Sequence, residues 1–194
     1  MNIVYKVLPN IITLSRILLT YVFLLLQNKQ YHDIKNRETF LCLSIVFLCI
    51  CITDLIDGKI ARFLNSKSFI GSFLDVAADA AFIFSSFIFL NIHGIIPFWF
   101  TIVILTKFIE FIITSYVWKK LNNKTSELFI SDPIGRLAAV LFYIIPGIIG
   151  ILFYKFENNL LLATNTLIFI TTILAVVSSF IRCSNCFKYF KRIP

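Results

Sequence analysis

Apolar residues along this chain fall into six long runs, separated by short segments of polar residues and helix breakers. Several runs exceed about 18 residues, the length at which an apolar stretch indicates a transmembrane helix. The separating segments, such as NKQYHDIKNR and LNNKTSELFISD, are rich in charged and loop-favouring residues. The pattern predicts an all-α integral membrane protein with six transmembrane helices: Pro9–Gln27, Glu38–Arg62, Phe69–Asn91, Ile95–Lys120, Pro133–Tyr154 and Leu160–Arg182.

The residues before the first run have a different pattern. NIVYKVLP combines apolar side chains with the base Lys6, which is typical of a short segment lying in the membrane interface. Because Met1–Leu8 lacks the apolar region and cleavage site of a signal peptide, we expect the first run to be a retained helix. We therefore expect one membrane domain over residues 1–194, with no separate soluble domain.

Composition agrees with a membrane protein. The chain is 59% hydrophobic and 14% charged, with a mean hydropathy of +0.89, whereas about a quarter of a soluble domain is charged. The net charge of +8 does not indicate nucleic-acid binding, because the bases are spread over short segments between apolar runs. Cys183 and Cys186 form a single CxxC motif, which is short of the roughly four ligands that a zinc site needs.

The distribution of bases predicts the orientation. With the N-terminus in the cytoplasm, the bases on that side would be Lys6, Arg62, Lys67, Lys119, Lys120, Lys124, Lys188, Lys191 and Arg192. The opposite side would carry only Lys29, Lys35, Arg37 and Lys155. Since cytoplasmic loops are enriched in lysine and arginine, both termini and the connection between the second and third helices are expected to be cytoplasmic.

Four of the ten acidic residues lie at the membrane ends of the second and third predicted helices: Asp54, Asp57, Asp75 and Asp79. One aspartate at mid-bilayer costs about 2.5–3.5 kcal/mol on insertion scales, and less near the interface. A single such acid can be a packing hydrogen bond or half of an ion pair with Arg62 or Lys59. Four acids in register favour a functional site.

Helical geometry places these acids on two faces. At about 100° per residue, Asp54, Asp57, Gly58 and Ala61 share about a third of the circumference of the second helix, with Arg62 at its edge. On the third helix, Gly71, Asp75 and Asp79 recur every four residues and form one stripe. The short connection makes the two helices antiparallel neighbours, so the two faces can meet.

Converging carboxylates repel each other unless cations lie between them. Oxygen ligands without histidine or thiolate are typical of Mg²⁺ or Mn²⁺. The small residues Gly58, Ala61 and Gly71 leave space beside such metals for a phosphate-bearing ligand, and Arg62 can meet a phosphate oxygen. A small cation transporter is the non-enzyme alternative, but it predicts acids nearer mid-membrane.

The motif resembles that of a known family. Residues 54–79 match D-x2-D-G-x2-A-R-x8-G-x3-D-x3-D, the signature of the CDP-alcohol phosphatidyltransferases, at all eight fixed positions. Residues 8–16, LPNIITLSR, are similar to the P-N-x-x-T-x-x-R opening of that family. The six-helix layout also agrees, although the last three helices match only loosely.

The resemblance implies a catalyst that transfers the phosphatidyl group of CDP-diacylglycerol to a small alcohol and releases CMP. Asp54, Asp57 and Asp75 would be ligands of a two-metal centre of Mg²⁺ or Mn²⁺. Asp79 would be the general base and a further metal ligand. The residues implied to border the nucleotide and diphosphate are Gly58, Ala61, Arg62, Gly71, Asn10 and Thr13.

The resemblance further implies a homodimer with one active site in each protomer. Each site would open to the cytosol and to the inner leaflet of a bacterial or archaeal cytoplasmic membrane. The partners would be CDP-diacylglycerol, a polar alcohol and membrane lipid, without nucleic acid.

Two pairs of charged residues bear on the acceptor alcohol. Lys107 and Glu110 are three residues apart in the fourth helix, and Asp132 and Arg136 four apart at the start of the fifth, so each pair can be a local ion pair. Alternatively, Lys107 and Arg136 hold an acceptor phosphate. The phosphatidylglycerophosphate synthases have a base in a comparable stretch, which favours glycerol 3-phosphate. Serine is the second choice and inositol phosphate the third.

Overall fold

The computed structural model describes the backbone of residues 3–63, 69–121, 133–155 and 160–190, with the turn at 93–97, and side chains over 13–56, 74–114, 133–155 and 160–185. These residues form six helices and no strand. The helices are α1 (Ile3–His32), α2 (Arg37–Phe63), α3 (Phe69–Ile92), α4 (Phe98–Leu121), α5 (Pro133–Lys155) and α6 (Leu160–Phe190). The predicted all-α class and helix order are confirmed.

Within the residues whose side chains are described, four helices are long and apolar enough to cross a membrane on length and composition, namely α2, α3, α5 and α6. Large apolar side chains cover the outside of the bundle, including Leu18, Ile92 and Phe180. An apolar exterior is expected where lipid is the solvent, since lipid tails are as apolar as leucine.

Helix ends depart from the prediction at α1 and at α6, which ends at Phe190 and not at the predicted Arg182. Helix α1 begins at Ile3 and ends at His32, so the predicted interfacial segment is continuous with α1 and most of the predicted first loop is helical. Asn36 caps α2, because its side-chain oxygen accepts a hydrogen bond from the backbone N–H of Thr39 at 3.0 Å. Gly94, with φ of 68°, reverses the chain after α3 in the left-handed conformation that favours glycine.

Packing is closest along α1 with α2 and α3, and along α5 with α6. One apolar cluster, from here called the upper cluster, contains the buried residues Phe23, Leu43, Ile50 and Phe82, with Tyr143 packed against it. A second cluster joins α3 to α6 through residues such as Phe87, Phe100 and Phe142. The upper cluster therefore ties together the three helices that carry the predicted site.

Two glycines allow α5 to approach α2 closely. A methyl group at Gly147 would overlap the ring of Phe47, and one at Gly150 would overlap the side chain of Leu43. Gly150 also accepts a hydrogen bond on its carbonyl oxygen from the side chain of Gln30 at 3.0 Å. Small residues at such contacts are typical of membrane helix packing.

Candidate metal centre

A guanidinium lies at the centre of the predicted site. Nη1 of Arg16 is 2.8 Å from Oδ1 of Asp75, 2.8 Å from Oδ1 of Asp79 and 3.2 Å from Oδ1 of Asp54. The Arg16 side chain is fully buried, whereas those of the three acids are about one-third exposed. Helices α1, α2 and α3 thus meet at one charged cluster, defined here as Arg16, Asp54, Asp75 and Asp79.

The helix faces explain why these residues meet. Arg16 and Phe23 are seven residues apart, and Asp79 and Phe82 are three apart, so on each helix the charged residue and the apolar one lie on nearly the same side. The contact of Phe23 with Phe82 in the upper cluster, with ring centroids 5.4 Å apart, sets the rotation of α1 against α3. That rotation directs Arg16 towards the acids.

The three aspartates fit a divalent metal by their donor chemistry. One carboxylate oxygen from each of Asp54, Asp75 and Asp79 lies within 4.8 Å of the other two. All three donors are oxygens, which Mg²⁺ and Mn²⁺ prefer. With the carboxylates ionised, Arg16 offsets one of three negative charges, so the cluster attracts further positive charge. A divalent cation matches the remaining charge.

Several predicted site residues lie where the structure describes only the backbone. In α2 these are Asp57, Gly58, Ala61 and Arg62, in α3 Gly71, and in α1 Asn10. Their side-chain positions are outside the described residues. Thr13 is described, and is 2% exposed on α1, one turn before Arg16. Of the four predicted acids, the structure therefore brings together Asp54, Asp75 and Asp79.

Lys107 forms the local ion pair that its spacing allows. Its Nζ is 3.1 Å from Oε2 of Glu110, and it donates to the hydroxyls of Ser178 at 3.0 Å and Ser179 at 3.1 Å. Ser179 also donates to Oε2 of Glu110 at 2.5 Å. These contacts join α4 to α6. An ammonium group has three N–H donors, and in this arrangement all three have protein partners.

The remaining bases near these helices differ in exposure. Arg136 lies in the first turn of α5 and is exposed, while its predicted partner Asp132 is outside the described residues. Arg182 is buried in α6, where its Nη1 donates to the hydroxyl of Thr114 at 3.1 Å. Its guanidinium carbon also lies 5.0 Å from the centre of the Phe111 ring, within the range of a cation–π contact.

Arg16 is the site residue that the sequence interpretation left without a role. It is the last residue of the segment LPNIITLSR, whose spacing does not indicate a partner for it. Its signal was available, because an arginine inside an apolar run is costly unless an acid compensates it. Since its partners are 59 and 63 residues away in sequence, spacing within α1 cannot identify them.

Comparison with known proteins identifies the family of this chain. Residues 6–181 match the family model of the CDP-alcohol phosphatidyltransferases. A probable phosphatidylglycerophosphate synthase of Mycobacterium tuberculosis is 36% identical over 102 residues, covering 52% of this chain and 47% of the relative. A CDP-diacylglycerol–glycerol-3-phosphate 3-phosphatidyltransferase of Bacillus subtilis is 30% identical over 137 residues, covering 67% and 69%.

A third relative has another name. A cardiolipin synthase (CMP-forming) of Streptomyces coelicolor is 32% identical over 100 residues, covering 52% of this chain and 46% of the relative. The chain thus spans about half the length of the mycobacterial and streptomycete relatives. The family match extends over most of the chain and contains the whole charged cluster. This integral membrane protein belongs to the CDP-alcohol phosphatidyltransferase family.

Proposed function

We propose that the protein transfers the phosphatidyl group of CDP-diacylglycerol to glycerol 3-phosphate and releases CMP. The observation that carries this proposal is the convergence of Asp54, Asp75 and Asp79 around one point between α2 and α3. These are three of the four acids in the family motif. The names of the relatives from M. tuberculosis and B. subtilis support the choice of acceptor.

The site residues take the following roles in this proposal. Asp54, Asp57, Asp75 and Asp79 hold two divalent cations, Mg²⁺ or Mn²⁺. When bound, the cations supply positive charge that offsets the charge of the diphosphate and of the departing CMP. Asp79 accepts the proton of the acceptor hydroxyl. That hydroxyl oxygen forms a bond to the β-phosphorus, and the bond from this phosphorus to the CMP oxygen breaks.

Neighbouring residues bind the nucleotide end of the substrate. Gly58, Ala61 and Gly71 leave room for the cytidine and diphosphate, and Arg62 pairs with a phosphate oxygen. Asn10 and Thr13 approach the nucleotide from α1. Arg16 orients the carboxylates of Asp75 and Asp79, since its buried guanidinium already contacts both.

Two bases are proposed to bind the acceptor phosphate, and they are not equivalent. Arg136 is exposed at the start of α5 and can form a bidentate contact with a phosphate. The ammonium group of Lys107 donates to Glu110, Ser178 and Ser179. To bind an acceptor phosphate as well, it must share or give up one of these contacts. Arg136 is therefore expected to contribute more to acceptor binding.

Cardiolipin formation is the second candidate, and the name of the S. coelicolor relative favours it. The acceptor alcohol is then part of a second lipid, and the reaction also releases CMP. Serine and inositol phosphate remain alternatives among the acceptors of this family. A cation transporter is disfavoured, because the family match covers residues 6–181.

The orientation and assembly are also proposals. Both termini and the charged cluster face the cytoplasm of a bacterial cell, and the protein is a homodimer acting as a single domain over residues 1–194. The bacterial source of the relatives supports the membrane assignment. Labelling of lysine from each side tests the orientation: Lys67 is expected to react from the cytoplasmic side, and reaction from the outside alone would contradict it.

An acceptor panel tests the reaction. Purified protein is supplied with CDP-diacylglycerol, Mg²⁺ and one acceptor at a time: glycerol 3-phosphate, serine, inositol phosphate or phosphatidylglycerol. Lipid products are identified by mass spectrometry, and CMP is measured in parallel. We expect phosphatidylglycerophosphate from glycerol 3-phosphate. If a lipid product forms only when phosphatidylglycerol is the acceptor, the protein is a cardiolipin synthase. If CMP is released with none of the acceptors, the proposed reaction is contradicted.

A further inference from the structure

Tyr143 has a buried hydroxyl without a hydrogen-bond partner. Its ring packs in the upper cluster against Phe82, with centroids 5.0 Å apart and an interplanar angle of 51°. Its hydroxyl oxygen is buried and has no hydrogen bond among the residues described. A buried polar group without a partner is destabilising, so its presence calls for a physical reason.

The position of the ring brings this hydroxyl close to the charged cluster. Phe82 lies one helical turn after Asp79 on the same side of α3, and Tyr143 covers it from α5. The hydroxyl is near enough to Asp79, Asp54 and Arg16 to interact with their charges. Tyr143 therefore borders the site from a fourth helix, outside the sequence motif.

The ring is fixed by its neighbours. Phe82 is fully buried and contacts Phe23 of α1 and Phe47 of α2, with centroids 5.4 Å and 6.3 Å away. The Phe82 ring that supports Tyr143 is thus held by three helices, so the phenol has little freedom to turn towards another protein group. A fixed donor of this kind suits a ligand that arrives at one position.

We propose that Tyr143 is a positioning residue whose hydroxyl donates a hydrogen bond to a phosphate oxygen of CDP-diacylglycerol. This inference rests on the proposed function. A phenol O–H is a donor suited to an anionic oxygen. Asp75 and Asp79 already have Arg16 as a partner, whereas the diphosphate brings new anionic oxygens. Binding of that substrate gives the hydroxyl its partner.

The conservative variant Tyr143→Phe tests the inference. It removes one oxygen and keeps the ring contact with Phe82. We expect the KM for CDP-diacylglycerol to rise about tenfold, as for loss of a hydrogen bond to a charged group. The Kd for CDP-diacylglycerol, measured by calorimetry without acceptor, should rise equally. The kcat and the KM for glycerol 3-phosphate should stay within about twofold.

Stability and a matched control separate this role from a structural one. Because the hydroxyl has no partner in the described structure, Tyr143→Phe should leave the unfolding temperature of the ligand-free protein unchanged or higher. Tyr31→Phe is the control, because Tyr31 packs on His93, with centroids 4.2 Å apart, roughly 22 Å along α1 from Arg16. Its kinetics and its Kd should match the wild type.

Three results for Tyr143→Phe would overturn the inference. If the KM and the Kd for CDP-diacylglycerol are unchanged, the hydroxyl does not contact this substrate. If only the KM for glycerol 3-phosphate rises, the hydroxyl contacts the acceptor instead. A lower kcat with both KM values unchanged indicates a hydrogen bond to Asp79 during the reaction. If the wild type binds CDP-diacylglycerol but turns nothing over, the proposed function alone fails. If it binds none, both fail together.

Discussion

Nη1 of Arg16 lies 2.8 Å from Oδ1 of Asp79, so a guanidinium fully buried in α1 contacts the carboxylate that we propose as the general base. The same nitrogen contacts Asp75 and Asp54. A single cation therefore connects the three helices of the site. Its removal has consequences for stability as well as for catalysis.

The first prediction concerns the role of Arg16 as a counter-charge. Arg16→Met keeps a long side chain but leaves three carboxylates without their cation, which costs roughly 2 kcal/mol after allowing for the partial exposure of the acids. For a chain of this length, that is a fall of about 4–8 °C in unfolding temperature. Saturating Mg²⁺ should restore much of this loss, because it supplies the missing charge.

Thermal unfolding in detergent, with chelator and with Mg²⁺, measures this effect. Lys29→Met is the control, since Lys29 is an exposed base of the same helix, and its unfolding temperature should be unchanged. An equal loss of stability in Arg16→Met with and without Mg²⁺ would contradict a shared electrostatic role. Activity of Arg16→Met is expected to fall at least tenfold, since Asp75 and Asp79 lose the group that orients them.

The second prediction concerns the acceptor. Arg136→Ala should raise the KM for glycerol 3-phosphate about tenfold, because a charge-assisted contact contributes about 1.5–3 kcal/mol. Lys107→Ala should raise the same constant by a smaller factor, because its donors already have protein partners. The KM for CDP-diacylglycerol should change much less in both variants. Steady-state kinetics with each substrate varied, at matched amounts of folded protein, measures both constants.

Lys107→Ala needs its own control, because it also removes the cation that is paired with the half-buried carboxylate of Glu110. The double variant Lys107→Ala with Glu110→Gln removes the unpaired charge and should recover most of the lost stability. If the acceptor KM is normal in the double variant, Lys107 is a structural residue. A normal acceptor KM in Arg136→Ala as well would remove the proposed phosphate contact.

The third prediction concerns helix packing away from the site. Gly147→Ala adds a methyl group that overlaps the Phe47 ring, and overpacking of this kind costs about 1–3 kcal/mol. Phe47→Leu in the same chain makes room and should restore part of the stability. The unfolding temperatures of the two single variants and of the double variant measure this effect. No loss in Gly147→Ala would show that α2 and α5 separate readily.

Much of this structure could be predicted from the sequence because it depends on local pattern. The apolar runs predicted the helix order. The four-residue spacing of Asp75 and Asp79 predicted that they lie on one side of the third helix, opposite Asp54 of the second. The predicted helices were too short at α1, which extends from Ile3 to His32, and at α6, which extends to Phe190. Hydropathy marks where a helix is apolar, and a hydrogen-bonded helix can continue through polar residues beyond that point.

What could not be predicted depends on how helices rotate against each other. Arg16 meets acids 59 and 63 residues away, and Tyr143 reaches the site through the ring of Phe82. Neither relationship has a fixed sequence spacing. The contacts of Lys107 could be predicted only in part. Its pairing with Glu110 follows from their spacing in α4, whereas its contacts with Ser178 and Ser179 of α6 do not.

The last prediction tests the metal centre itself. Asp54→Asn, Asp57→Asn and Asp75→Asn should each lose nearly all activity while the protein still inserts and folds, because each removes a proposed charged ligand. Glu38→Gln is the control, an exposed acid in the first turn of the same helix as Asp54. It should retain the activity of the wild type.

The most direct measurement is the rate of CMP release from CDP-diacylglycerol in the presence of glycerol 3-phosphate, as Mg²⁺ is titrated into chelator-treated protein. We predict no release without metal, saturable release by the wild type and by Glu38→Gln, and almost none by Asp75→Asn at any ordinary Mg²⁺ concentration. Release at the wild-type rate by Asp75→Asn, or release that is independent of divalent metal, would contradict the account.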